Sequence, residues 1–122
     1  LEGERSIAAG VQARLLDDIR ESHCGLLPDS QLPAMLAVQQ QRDRRMAEVL
    51  LAAPQPSLLL AGAFHVRKDL GVPLHLADLG APTGNAILIL AEVGRSVDTS
   101  MADYVWFTAA QPAQDHCAKL RP

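Results

Sequence analysis

Residues 57–73 constrain the fold of this chain more than any other stretch of its sequence. They begin with a short apolar run at residues 58–60, which is typical of a buried strand. Gly62 follows, and a glycine just past a strand lets the backbone turn without steric cost. A histidine, two cations and a Gly-Val-Pro break complete the segment. The pattern predicts an α/β fold in which a buried strand leads directly into a polar loop.

Three side chains of this loop are the first candidates for a ligand contact: His65, Arg67 and Lys68. In open α/β sheets, binding groups gather beyond the carboxyl ends of the strands, where the loop is predicted to lie. Two adjacent cations favour an anionic ligand. The alternative, that His65 has only a structural role, stays open at this point.

The length and charge of the chain exclude several classes of protein. Its 122 residues make one domain, and a net charge of −3 argues against a nucleic-acid partner. No apolar run approaches the roughly 20 residues that span a bilayer, and no signal-peptide pattern is present. Because the chain begins without methionine at Leu1, we expect a processed product or a fragment.

Two long helices and about three strands are predicted. One helix covers residues 6–22, and a second runs from Asp29 or Ser30 to about Ala53 with Pro33 in its first turn. The strands are expected at residues 57–62, 85–93 and 103–108, and short helical turns at 66–70 and 73–77. Two of these strands are apolar on both faces, so we expect a missing N-terminal segment or another chain to complete the small mixed sheet.

The second helix is predicted to turn a mixed stripe towards the core, formed by Met35, Gln39, Arg42 and Met46. A buried arginine needs a partner because it stays charged at neutral pH. Arg42 therefore indicates either a structural ion pair or a pocket on this face.

The last predicted strand contains both the only tyrosine and the only tryptophan. Tyr104 and Trp106 share one face, opposite Asp103, Val105 and Phe107. The aromatic rings either anchor the core or offer a planar ligand a platform and a phenolic oxygen.

Other catalytic or metal-binding patterns are weak. The four histidines show no zinc spacing, and no nucleophile elbow or phosphate-binding loop occurs. His23 stands at a helix C-terminus, which explains a cation there. Cys24 and Cys117 form either a disulfide or two free thiols.

Four motifs occur in an order that resembles a known family: His23-Cys24-Gly25 with Leu27-Pro28, then Gln40-x-Arg42-Asp43-x-x-Met46-Ala47, then Gly62-x-x-His65-x-Arg67-x-Asp69-x-Gly71-Val72-Pro73, and Asp103-Tyr104-Val105-Trp106-Phe107-Thr108 followed by Cys117. Together they resemble the C-terminal half of the ChaN-type haem-binding lipoproteins of the Tiki-like superfamily. The resemblance covers nearly the whole chain, from about Ile19 onward. A first Gly-Glu-x-His motif and a lipidated cysteine, both typical of the family, are absent from this sequence.

The resemblance implies a non-catalytic haem-binding protein of iron uptake. It implies a lipid-anchored protein at the outer membrane, facing an oxidising periplasm, with a Cys24–Cys117 disulfide. It also implies a haem site between the protomers of a dimer, with Tyr104 as the iron ligand and basic residues at the propionates. The residues expected around haem are His23, Met35, Arg42, His65, Arg67, Lys68 and Tyr104.

Two alternatives remain beside haem binding. One is a Tiki-like metal-dependent hydrolase in which His65 is a metal ligand or base, aided by His23. The other is an oligomerisation module with an open sheet edge. The haem hypothesis expects the Met35–Gln39–Arg42 face, His65 and the Tyr104 strand to meet at one cleft.

Overall fold

Two long helices pack together beside a small sheet in the computed structural model, which describes residues 5–82 and 84–120. The elements in chain order are α1 (Ala9–Ser22), a 3-10 turn (Asp29–Gln31), α2 (Leu32–Ala52), α3 (Ala63–Val66), α4 (Val72–Asp78), β1 (Leu88–Glu92) and β2 (Tyr104–Thr108). The two predicted long helices are confirmed, as is the α/β class. No helix of the described ranges is long and apolar enough to cross a membrane.

The first core cluster lies between α1 and α2. Leu15 and Ile19 of α1 are buried against Leu32 and Leu36 of α2, and Leu70 closes the cluster. Pro33 lies in the first turn of α2, where its missing N–H is not needed for the helix. The amphipathic pattern of residues 6–22 predicts a helix with one apolar face, and Leu15 and Ile19 lie on the buried face of α1. The stripe predicted for the second helix contains neither Leu32 nor Leu36.

The buried face of α2 differs from the predicted stripe by one residue. Asp43 and Ala47 are fully buried, whereas Arg42 is exposed. The small side chain of Ala47 lets α4 approach closely, with Val72 and Leu76 packed against it. This packing turns Asp43 inward and Arg42 outward, so the prediction of a core-facing arginine was wrong.

The sheet consists of β1 and β2, which pair in parallel with Leu88 opposite Tyr104 and Leu90 opposite Trp106. One face is covered by a second core cluster, in which Ile87 and Ile89 pack with Ala102, Val66 and Val105. Tyr104 and Trp106 project from the other face, as the alternation of side chains predicted.

The predicted strand at residues 57–62 is not a strand in the structure. The segment has no regular secondary structure, and its backbone joins neither β1 nor β2 within the described part of the chain. Leu58 and Leu60 are 89% and 87% exposed. An apolar run forms a strand only where a neighbouring backbone offers hydrogen bonds, and here none does.

Asp78 at the end of α4 fastens the N-terminal segment. Its two carboxylate oxygens accept hydrogen bonds from the backbone N–H groups of Arg5 and Ser6, each at 3.0 Å. Gln40 of α2 donates a further bond of 2.7 Å to the carbonyl of Ser6. Burial opposes ionisation of Asp78, but the hydrogen bonds from Ser6 and Arg5 outweigh it and lower its pKa.

We expect Asp78→Asn to lower the free energy of unfolding at pH 7 by about 1–3 kcal/mol, because the ionised acceptor is lost. A lowered pKa stabilises the fold above the ordinary Asp value, and this contribution disappears as pH falls through the folded-state pKa. The difference between variant and wild type, followed by urea unfolding, should therefore shrink below about pH 4. Asp17→Asn, at an exposed ion pair with Arg20, is the control and should change little. A difference that persists at low pH would contradict this account.

A disulfide joins Cys24, just past α1, to Cys117 in the irregular C-terminal tail. The bond links residues 93 positions apart in sequence, with a Cα–Cα distance of 5.5 Å. It fixes the tail to the helical side of the molecule.

Reduction, or the Cys24→Ser/Cys117→Ser double variant, should lower the free energy of unfolding by about 2–5 kcal/mol, since a long loop is released in the unfolded chain. The measurement is a urea titration of the oxidised, the reduced and the double-variant protein. The reduced wild type and the variant should coincide. An unchanged midpoint on reduction would show that the bond does not form in solution.

Candidate functional site

A carboxylate at the start of β2 brings the glycine–histidine loop to the sheet. Asp103 accepts hydrogen bonds from the Nζ of Lys68 at 2.7 Å and from the backbone N–H of Ile87 at 2.8 Å. The backbone N–H of Lys68 donates to the carbonyl of Met101 at 2.9 Å. The loop therefore lies at the amino-terminal ends of β1 and β2. The expectation that it lies beyond the carboxyl ends was wrong, because residues 57–62 do not join the sheet as a parallel strand.

His65 is held by a buried aspartate of α2. Its Nδ1 lies 2.5 Å from Oδ1 of Asp43, whose side chain is 1% exposed, while the histidine side chain is 30% exposed. The other oxygen of Asp43 is buried without a hydrogen-bond partner among the described residues. Burial raises the pKa of Asp43, and the hydrogen bond and charge of His65 only partly offset this. An aspartate on Nδ1 fixes the ring and leaves Nε2 as the atom available to a ligand.

The backbone at Gly71 passes close to the carbonyl groups of His65 and Arg67. A β-carbon at this position would lie 2.1 Å from the carbonyl oxygen of His65 and 3.2 Å from that of Arg67. Neither backbone atom can move aside as a flexible side chain would. Gly71 thus permits the close turn that places His65 against α2.

The two cations of the loop are both engaged. Arg67 is 8% exposed and forms a two-pronged ion pair with Asp69, with bonds of 2.9 and 2.7 Å. The hydrogen bond to Asp69 is the main cause of a raised pKa of Arg67. Lys68 is more exposed, and its ammonium group stays at the surface beside Asp103. Of the two, only Lys68 is placed to meet a ligand from solvent.

The open face of the sheet is apolar. It is formed by Leu88, Leu90, Tyr104 and Trp106, which are between 53% and 68% exposed. Aromatic rings that anchored the core would be buried, so this alternative is wrong for Tyr104 and Trp106. The phenolic oxygen of Tyr104 stands on this face, one residue from the Asp103–Lys68 pair.

The predicted site residues therefore divide into two groups. Lys68 pairs with Asp103, next to Tyr104, at one end of the sheet, and His65 lies three residues before Lys68 in the same loop, whereas Met35 packs in the helical core with Leu36. His23 is bonded through Nδ1 to the carbonyl of Ile19 at the end of α1, at 2.8 Å. Arg42 lies on the exposed side of α2. The sequence predicted that all of these side chains meet at one cleft, and the structure does not bring them together.

Two contacts of the candidate site escaped sequence reasoning: Asp43 as the partner of His65, and Asp103 as the partner of Lys68. Asp43 stands within one of the motifs, beside Arg42, and Asp103 directly precedes the aromatic strand. Asp43 lies 22 residues from His65 in the sequence, and Asp103 lies 35 residues from Lys68. Only the fold brings such pairs together.

Two cavities in the described part of the chain lie away from this end of the sheet. One, of about 260 Å³, lies between α2 and residues 57–59; another, of about 280 Å³, lies beside His75. In residues 5–82 and 84–120, no group of three or more His, Cys, Asp or Glu side chains is arranged to hold a metal ion. A ligand of the Tyr104 face would therefore lie on an open surface.

Gly71→Ala tests the support of His65. We expect the free energy of unfolding to fall by about 1–3 kcal/mol, because the added methyl overlaps backbone atoms. Gly10→Ala is the matched control, since a β-carbon there meets nothing within 4 Å, and α1 should gain up to about 1 kcal/mol. Chemical denaturation of both variants checks this. Equal effects of the two substitutions would contradict the close approach.

Comparison with known proteins gives two matches. The family model described as haem-binding uptake, Tiki superfamily, ChaN matches residues 3–76. A solved structure described as cofacial haem binding to ChaN of Campylobacter jejuni is 36% identical and superposes with a TM-score of 0.76. The match covers 86% of this chain and 41% of that one, so the chain spans less than half the length of that relative. No curated protein matches the chain.

Proposed function

The chain belongs to the ChaN family of haem-binding uptake proteins, and from this premise we propose that it binds haem on the open face of its sheet. One observation carries the proposal. A contiguous apolar surface that includes the only tyrosine, Tyr104, is exposed, and an accessible cation, Lys68, pairs with Asp103, the residue next to Tyr104 in the chain.

The chemistry of this face fits haem. Haem is a broad apolar plane with two carboxylates at one edge, and neither of the two cavities described above is of the size that usually encloses such a ligand. An exposed face of leucine and aromatic side chains offers the plane a surface instead. Leu88, Leu90 and Trp106 would contact the macrocycle.

Tyr104 is the proposed iron ligand. A phenolate oxygen is an established axial donor to haem iron and favours the ferric state. That preference suits a protein that carries haem rather than one that cycles its iron. Tyr104 would hold the iron through its phenolic oxygen, and haem would supply the ferric iron for that bond.

Lys68 and His65 would complete the site at the same end of the sheet. Lys68 would exchange Asp103 for a propionate, a charge-assisted hydrogen bond of similar strength. His65 offers Nε2 from a ring that Asp43 holds in place, as a hydrogen-bond donor or second ligand. We do not assign Arg67 to the propionates, because Asp69 already occupies its guanidinium group.

We further propose that the chain acts in haem and iron uptake as a dimer outside the cytoplasm. An exposed apolar face of this kind is suited to bind the same face of a second copy of the chain, and the two faces would then enclose the haem between them. The Cys24–Cys117 disulfide supports an oxidising compartment. Attachment to the outer membrane through a lipid anchor remains part of the proposal, by analogy with the family.

The test is a titration of ferric haem into the protein, followed by the Soret band. Wild type should bind saturably, and Tyr104→Phe should shift the band and weaken binding because the phenolate is lost. Phe107→Leu is the matched control, since Phe107 is an aromatic residue of the same strand on the opposite face. It should bind as wild type does.

Two results would count against the proposal. Saturable binding with an unchanged band in Tyr104→Phe would remove Tyr104 as the ligand. Absence of saturable binding to the wild type would remove haem from this face.

The Asp43–His65 pair favours one second candidate, a Tiki-like hydrolase. A histidine oriented by a buried carboxylate is the arrangement of a general base or of a metal ligand with its supporting partner. We expect such an enzyme to cleave a peptide substrate, to lose this activity on chelation, and to lose it in His65→Ala. Activity that survives both treatments would exclude His65 as its source.

A further inference from the structure

Arg42 and Arg45 are cations of α2 that the proposed haem site does not use. Both are exposed, and within the described ranges neither takes part in an ion pair or hydrogen bond. They lie three residues apart, so their side chains project from neighbouring positions on one face of the helix. Arg44, by contrast, points to another side and pairs with Glu48 at 3.9 Å.

An apolar groove lies next to these arginines, towards the C-terminal end of α2. It has a volume of about 260 Å³ and lies between the last turns of α2 and residues 57–59. Met46 and Val49 each follow one of the arginines by four residues, which places them directly below it on the helix surface. The lining residues are Arg45, Met46, Val49, Leu50, Ala53 and residues 57–59.

Charge and apolar surface are thus arranged in sequence along one helix face. Two cations that have no partner among residues 5–82 and 84–120 stand at one end, and a trough of aliphatic side chains continues from them. Leu58, at the far wall, is 89% exposed and so leaves apolar surface for an occupant to cover. Such a surface complements a molecule with an anionic head and a single aliphatic chain.

We propose that this groove binds a medium-chain fatty acid such as dodecanoate as a free monomer. The carboxylate pairs with Arg42 and Arg45, and the chain lies against Met46, Val49 and Leu58. A guanidinium group is suited to this role because its planar fork matches a carboxylate. The site lies on α2 and is separate from the Tyr104 face, so it does not depend on the proposed haem site.

The test is calorimetric titration with dodecanoate below its micellar concentration. Wild type should bind one equivalent, and Arg42→Gln/Arg45→Gln should bind about five- to tenfold more weakly, since two partly solvated ion pairs are lost. Val49→Glu places a like charge in the groove at an exposed position and should abolish binding. Arg44→Gln is the matched control and should bind as wild type does. Methyl dodecanoate, which lacks the charge, should bind as weakly to wild type as dodecanoate binds to the double variant.

Several outcomes would overturn the proposal. One is equal affinity of the double variant for dodecanoate. A second is sedimentation with phosphatidylglycerol vesicles without binding of monomeric dodecanoate, which would make this surface a membrane contact. A third is a dimer that Val49→Glu dissociates, without dodecanoate binding, which would make it a contact between copies. Displacement of dodecanoate by equimolar ferric haem, unaffected by Tyr104→Phe, would assign the groove to haem instead.

Discussion

The carboxylate of Asp103 joins three segments that lie far apart in the chain. It receives Lys68 from the glycine–histidine loop and the N–H of Ile87 at the entrance of β1, and it directly precedes β2. Two parallel strands alone form a weak sheet, because they share few hydrogen bonds. The Asp103 contacts fix the start of both strands and bring the loop to them. The position of Tyr104 relative to Lys68 follows from this one side chain.

The small size of the sheet determines the kind of site that it offers. One face is covered by Ile87, Ile89 and their neighbours, and the other has nothing in the described chain to cover it. Parallel strands are normally buried on both faces. An exposed apolar face is therefore a surface suited to a large planar ligand, to a second copy, or to both together. In the function proposed above, haem would lie against this surface rather than inside a cavity.

The sequence predicted local features well and long-range partners poorly. The helices α1 and α2 follow from apolar spacing and from proline and glycine at their ends, which act within a few residues. The faces of Tyr104 and Trp106 follow from simple alternation. By contrast, the buried face of α2 lies one residue away from the predicted one, because α4 packs against Ala47. The periodicity of apolar residues in α2 does not reveal this contact with another helix. The strand expected at residues 57–62 failed for the same reason, since strand formation depends on a partner elsewhere in the chain.

The candidate site shows this limit most clearly. The family motifs contain His65 and Tyr104, and the loop after the apolar run indicates Lys68, yet neither signal says that Asp43 holds His65 or that Asp103 holds Lys68. Arg67 matched a motif and is nevertheless committed to Asp69. Burial of Asp43 raises its pKa, so keeping this carboxylate ionised in the fold costs free energy, and its contact with Nδ1 orients His65. Such a cost at a single side chain is typical of a functional position.

The central claim, that the open sheet face binds haem through Tyr104, is tested most directly by a crystal structure of the protein with ferric haem. We expect the iron within bonding distance of the Tyr104 phenolic oxygen, and the macrocycle against Leu88, Leu90 and Trp106. A structure with the iron held by another residue, or with haem bound away from this face, would contradict the account.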